Sequence, residues 1–396
     1  MLELLIALLL GIILGTITGL IPGIHTNLIA TILLSVPAFT FLQPLTAIIF
    51  ITSMAITHTF LDFIPAIFLG APDEDTALSI MPGHEFLLKG KAHQAVLLTL
   101  TGSTIALIIT ILITPIFILV IPKIYPFVQK MMAWFLIWIS IFLISKEENS
   151  KLWAIIIFLL AGFLGITTLN LQINQPLLPL LTGLFGSSTL IYSISQKIKI
   201  PKQKIGKLIL TKKELIKPAI ATAIVSPICS FLPGLGSSQA AIIGSNITKE
   251  LSRKQFLILL GSINTLVMSI SFVTLYLIDK PRTGAASAIQ QITAISLKEL
   301  TLILATTIIT ALISIFLTIK ISKIFTKNIH KIKYTKISFF ILIFLTIIIF
   351  TFSEFIGLLV FLVSSFLGLT CIYSQVRRGH LMGALLIPTI LLYLPF

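Results

Sequence analysis

Two side chains able to hold or pass a proton, His58 and Asp62, stand four residues apart in an apolar run at 47–70. That spacing puts both on one face of a helix. An ionisable residue inside a membrane span is costly and is a functional candidate by default. Histidine titrates near neutral pH, so the pair can carry a coupling proton. The competing reading leaves Asp62 near the lipid headgroups, paired only with His58 or water. No third ligand stands at a fixed spacing and no His-Glu-x-x-His occurs, so no metal site and no cofactor is expected beyond a coupling Na+ or H+.

A second chemical feature is duplicated. Pro22–Gly23 recurs as Pro233–Gly234, 211 residues further along. Before the first break, Gly11, Gly15 and Gly19 lead to Gly23 in steps of four; before the second, Thr222, Ser226 and Ser230 lead to Gly234. Polar residues follow each time: His25, Thr26 and Asn27, then Ser237, Ser238 and Gln239. Proline and glycine inside a membrane helix free backbone groups that lipid cannot satisfy. A helix starting at such a break offers N–H groups and about half a positive charge to an anion. Hydroxyls and amides add hydrogen bonds, and carbonyls on the other side of the break can ligate a cation. The plainer alternative is a glycine-lined helix contact whose polar residues only cap helix ends.

These residues need a membrane scaffold. The 396-residue chain is 57% hydrophobic and only 10% charged, with a mean hydropathy of +1.10. Apolar runs of bilayer-crossing length recur throughout, and the short alternating segments of a β-barrel do not appear. An all-α polytopic membrane protein is expected, multi-pass in the plasma membrane. The net charge of +15 lies in short loops between apolar runs, where the positive-inside rule accounts for it. Membrane lipids are therefore partners and nucleic acid is not. Cys229 and Cys371 read as buried thiols. The N-terminus lacks a basic stretch, so no cleaved signal peptide is expected.

The runs give a broken segment at 1–42 and spans near 47–70, 94–121, 126–145, 152–170 and 176–195. A connector at 196–217 holds eight lysines against Glu214 alone. A second broken segment follows at 218–247, then spans near 254–278, 299–320, 337–352, 355–374 and 381–396. The loop 320–336 holds six lysines and no acid, and Arg377–Arg378 form a third basic cluster. Placing all three in the cytoplasm forces the second broken segment to return to its own side, and five spans, an odd number, separate the first from the basic connector. The first then starts outside and the second inside. The expected architecture is two inverted-topology repeats, 1–195 and 218–396, each a broken or re-entrant hairpin followed by about five transmembrane helices.

Gly15-xxx-Gly19-xx-Pro22-Gly23 and Phe231-Leu232-Pro233-Gly234-Leu235-Gly236 resemble the breaks in the large membrane subunit of the tripartite tricarboxylate transporters, the TctA family. Pro72-Asp73-Glu74-Asp75-Thr76-Ala77 with Pro82-Gly83, and Pro281-Arg282-Thr283-Gly284-Ala285-Ala286, are similar too. The resemblance runs from the first break to about residue 300. It implies a secondary transporter of carboxylate-bearing metabolites working with a small membrane subunit and an extracytoplasmic binding protein. His25 stands where the first motif usually has a second glycine, and the chain is short; this form resembles a divergent, archaeal-type branch.

The expected function is a cation-coupled permease for a small organic anion, not an enzyme. Pro22, Gly23, His25, Thr26, Asn27, Pro233, Gly234, Gly236, Ser237, Ser238 and Gln239 form the expected binding set. Arg282, a natural partner for a carboxylate, joins them as binder or gate. In the loop 71–93, Asp73, Glu74 and Asp75 read as a solvated connector or a cation site. Trp134, Trp138 and Trp153 read as interface anchors. A homodimer completes the partner set. Two alternatives stay open: a polyprenyl-phosphate-type lipid carrier translocase, and an intramembrane enzyme using His25, His58 and Asp62.

Overall fold

The computed structural model describes residues 2–21, 42–70, 76–195, 200–231, 236–248, 251–331 and 334–394. Among the described residues every regular element is helical. Helix α1 spans Leu2–Leu20, α2 Pro44–Leu61, α3 Phe63–Leu69, α4 Ile80–Leu88 and α5 Ala92–Ser145. Next come α6, Lys151–Asn170, and α7, Leu177–Leu181, which runs through a π turn at Thr182–Ser187 into α8, Ser188–Ser195. The second half holds α9, Lys212–Phe231; α10, Ser237–Ile247; α11, Arg253–Ile278; and α12, Gly284–Ile292. It ends with α13, Leu297–Asn328; α14, Tyr334–Tyr373; and α15, Gly383–Tyr393. Seven stretches of the described residues are long and apolar enough to cross a membrane. The chain is an all-α polytopic membrane protein.

Local sequence sets several boundaries. Pro44 opens α2, where a missing N–H costs nothing. Ser252 with Gln255 and Ser296 with Glu299 open α11 and α13 as capping boxes. The same chemistry moves the start of α9 into the expected connector. Thr211 donates its N–H (2.8 Å) and hydroxyl (3.0 Å) to the Glu214 carboxylate, so helix begins at Lys212 rather than near residue 218.

The expected separate spans at 94–121 and 126–145 are instead one continuous helix of 54 residues, α5. At 1.5 Å per residue it is about 81 Å long, so it is not a single straight crossing. Pro115, Pro122 and Pro126 each delete a ladder hydrogen bond without ending the helix. The pair expected at 337–352 and 355–374 does divide, at Glu354, whose φ of 54° and ψ of −157° interrupt α14.

Helix directions follow from a few contacts. Thr46 donates to Glu3 (2.9 Å) at one end of α1 and α2, and Gly19 lies against His58 and Leu61 near the other, so these helices run parallel. Lys254 donates to Glu214 (3.1 Å) and Thr222 bonds Ser262, so α9 and α11 also run parallel. The two pairs oppose one another. Arg253, the first residue of α11, pairs with Glu85 (3.3 Å) on α4, just beyond the end of α3. At the far end, α12 packs its Ala285, Ala286 and Ile289 with Ala47, Ile48 and Ile51 in the first half of α2.

Partners are exchanged between the halves. Helix α2 packs on α1 and on α13 of the second half; α11 packs on α9 and on α5 of the first. Apolar burial gains nothing against lipid tails, so small residues and polar links must hold these helices together. At the α5–α11 crossing Gly102 meets the Ile258 carbonyl, Gly261 meets that of Thr99, and Ser103 donates to Gly261 O (3.1 Å). The lysine-rich connector joins the same end as Arg253: Lys204 N–H donates to Gly90 O (2.8 Å), and His93 at the start of α5 bonds Ser322 of α13 (2.9 Å).

A buried carboxylate ties the α5–α6 turn to the α14–α15 turn. Glu147 accepts from the N–H groups of Glu148, Asn149 and Arg377 and pairs with His380 Nε2 at 2.9 Å. Burial pushes its pKa up, but the Arg377 and Asn149 N–H groups and the His380 ring outweigh that and hold it below its ordinary 4.5. A depressed carboxylate contributes stability that is complete above the unfolded value and is lost as pH falls through the folded one. The protection factors of the Glu148, Asn149 and Arg377 N–H groups against hydrogen exchange are therefore expected to fall below about pH 4.5 before the membrane helices open. A profile flat through that range would show that the carboxylate does not hold the turn.

Candidate functional site

The two most enclosed spans are the α2–α3 stretch and α11; 94% of the apolar window of each is buried, against 39% or less for the others. Both carry polar side chains along their length. In α2 these include Thr52, Ser53, Thr57 and His58, with Asp62 following; in α11 they include Ser262, Asn264, Thr265 and Ser269, all buried.

Asp62 sits at the junction of α2 and α3. Pro65 has no N–H to return to the Leu61 carbonyl, so the ladder is interrupted one residue before Asp62. Asp62 is 4% exposed, and its Oδ2 accepts from Asn264 Nδ2 at 2.7 Å. That bond joins the central helices of the two halves. The carboxylate is enclosed by protein. One turn earlier, His58 is 3% exposed and its Nδ1 shares a 3.1 Å hydrogen bond with Thr18 of α1. Next to it Thr57 accepts from Ser314 of α13 (3.2 Å), and Thr318 donates to Phe60 O (3.2 Å). His58 and Asp62 thus lie where α1, α2, α11 and α13 meet.

Gly11, Gly15 and Gly19 lie directly against α2, where a Cβ would overlap Phe50 O, Met54 O and His58 O. This is the glycine-lined contact raised as the plainer reading of that row. In the second half Thr222, Ser226 and Ser230 are fully buried on α9. The breaks themselves fall largely outside the described residues: Pro22, Gly23, His25, Thr26, Asn27, Pro233 and Gly234 are not among them. Asp73, Glu74 and Asp75 lie outside as well. Gly236 and Ser237 open α10, with the Ala240 N–H donating to Gly236 O (3.1 Å) and Ser237 buried. Ser238 and Gln239 follow in its first turn.

Arg282 is not brought to Asp62. It lies beyond the far end of α11, where its Nη2 donates to Tyr125 Oη (3.3 Å) and Lys280 stands 5.6 Å from the Tyr125 ring. Among the described residues no group of three His, Cys, Asp or Glu side chains can hold a metal ion. Asn264, Thr18 and Ser314 were not singled out from sequence. Asn264 carried a usable signal, an amide in the middle of an apolar run; the other two look like any hydroxyl in a membrane helix.

Opposed helix pairs around an enclosed polar centre define a multi-pass membrane protein of the transporter class. The family model described as "Tripartite tricarboxylate transporter TctA family" matches residues 5–383, and the chain belongs to that family. Membership makes it a membrane component of a transporter in the plasma membrane. A Methanocaldococcus jannaschii protein described as "Uncharacterized protein MJ1079" is 30% identical over 359 residues, covering 87% of this chain and 88% of that one. No solved structure matches.

Proposed function

We propose that the chain is a secondary active permease for a small organic anion such as a carboxylate, driven by a Na+ or H+ gradient. The observation that carries this reading is the Asp62–Asn264 hydrogen bond between two enclosed, oppositely directed helices. In this reading residues 1–195 and 218–396 are inverted repeats, and the lysine-rich end lies in the cytoplasm. The Pro22–Gly23 and Pro233–Gly234 breaks present helix N-termini to the anion, with Thr26, Asn27, Ser237, Ser238 and Gln239 supplying side-chain donors. Asp62 takes the coupling cation, and His58 tunes or relays it. Arg282 and Lys280, at the opposite end, draw the anion toward the outer mouth. That end also suits an extracytoplasmic binding protein, the partner that a tripartite system supplies beside a small membrane subunit.

The test is uptake into proteoliposomes, screening carboxylates and phosphates under imposed Na+ or H+ gradients. Asn27→Leu and Ser238→Leu are expected to abolish uptake while inserting normally. Wild-type uptake by both variants would remove the breaks from the binding site.

A further inference from the structure

We propose that Thr52, Thr307 and Thr310 bind a dehydrated alkali cation of the Na+ type between α2 and α13, on the way to Asp62. The two helices run parallel in a fixed register. Ser314 donates to Thr57 (3.2 Å) and Thr318 to Phe60 O (3.2 Å), so Thr52 stands level with Thr310. Thr307, Thr310, Ser314 and Thr318 follow one another by three or four residues. That spacing puts all four on the face of α13 that meets α2.

Along this row the hydroxyls divide. Thr318 and Thr326 donate back to carbonyls of α13, and Ser314 crosses to Thr57. Thr52, Thr307 and Thr310 do neither. They are 0%, 1% and 0% exposed, and none of their hydroxyls makes a hydrogen bond. A helical threonine can always turn its hydroxyl onto a carbonyl one turn back. Three buried hydroxyls that do not, within one turn of each other's level, are oxygens held for another ligand.

The crossing of α5 and α11 shows what these threonines replace. Thr52 is the ninth residue of α2, as Gly261 is of α11; Thr307 is the eleventh of α13, as Gly102 is of α5. The two glycines bring α5 and α11 into backbone contact, against Thr99 O and Ile258 O. At α2 and α13 the same places carry hydroxyls instead.

Neutral hydroxyl oxygens suit a monovalent alkali cation. A divalent ion asks for carboxylates and a proton for a titratable group, and the three threonines supply neither. Asp62 lies about 15 Å further along α2 from Thr52. The Thr57–Ser314 pair and His58 stand between them. A cation entering from the Pro44 end of α2 reaches the threonines first and the carboxylate second. The proposal rests on the reading of Asp62 as the cation's destination, and adds the ion's chemistry and its side of entry.

The experiment is a melting-temperature titration of the full-length protein in detergent, with NaCl against choline chloride at matched ionic strength. Na+ is expected to raise the melting temperature saturably, and choline to leave it unchanged. Thr52→Val and Thr307→Val should each weaken the Na+ midpoint about tenfold. In choline both should melt no lower than the unaltered protein, since neither loses a hydrogen bond. Thr52→Ser, which keeps the hydroxyl, should retain the response. Asp62→Asn should still bind Na+ at the threonines, which separates the two places. Loss of the response in Asp62→Asn, with unaltered midpoints in both valine variants, would overturn the proposal and leave the transport reading standing. A response to choline equal to that with Na+ would also overturn it, as would no Na+ response at all, which would leave H+ as the ion at Asp62.

Discussion

Gradient-driven uptake by Asp62→Asn is expected to fall about 100-fold, while substrate exchange in the absence of a gradient persists. Asparagine is nearly isosteric and can still accept from Asn264 Nδ2, so the α2–α11 contact survives the change. What disappears is the charge that a cation must neutralise as the centre moves between faces. A fall in exchange to the same degree would mean that Asp62 holds the fold or the anion instead of the coupling cation. Uptake that keeps wild-type gradient dependence would remove Asp62 from the mechanism. His58→Gln is the companion change, since it keeps a polar partner for Thr18 and removes the titrating group.

The second large effect concerns the scaffold. Gly261→Ala places a methyl group onto the Thr99 carbonyl, a backbone atom that no side-chain rotation can clear. Helices α5 and α11 must then separate, and the Ser103–Gly261 bond stretches with them. Overpacking of this kind costs about 1–3 kcal/mol, and a contact with backbone belongs at the upper end. The melting temperature in detergent is expected to drop by several degrees, with a larger drop for Gly261→Val. Gly244→Ala is the control, because its new Cβ would meet only side chains at 3.5 Å or beyond. Equal melting temperatures for the Gly261 and Gly244 variants would show that the close crossing does not limit stability.

Much of the fold was legible because hydropathy responds to the bilayer and not to tertiary detail. The runs that become α2, α6, α11 and α13 stand near their expected places. Two departures have local causes. Helix α9 starts early because Thr211 and Glu214 cap it, which outweighs the lysine-rich composition of that stretch. Helix α5 continues through three prolines because losing single ladder bonds bends a membrane helix more readily than it ends one. The site divides similarly. Asp62 was conspicuous as a carboxylate among apolar residues, whereas its partner Asn264 lies 202 positions away and follows only from the opposed packing of α2 and α11. The glycine row at Gly11, Gly15 and Gly19 was read beside the break it leads to; its job is to bring α1 onto α2.

The opposed entry of the two helix pairs is what the functional reading needs most, and thiol labelling from one side of the membrane tests it directly. The native cysteines, Cys229 and Cys371, are buried, so the background is low. Glu3→Cys marks the start of α1 and Lys212→Cys the start of α9. In intact cells a membrane-impermeant reagent should label Glu3→Cys and leave Lys212→Cys untouched until the membrane is opened. Labelling of both from the outside would contradict the inverted arrangement.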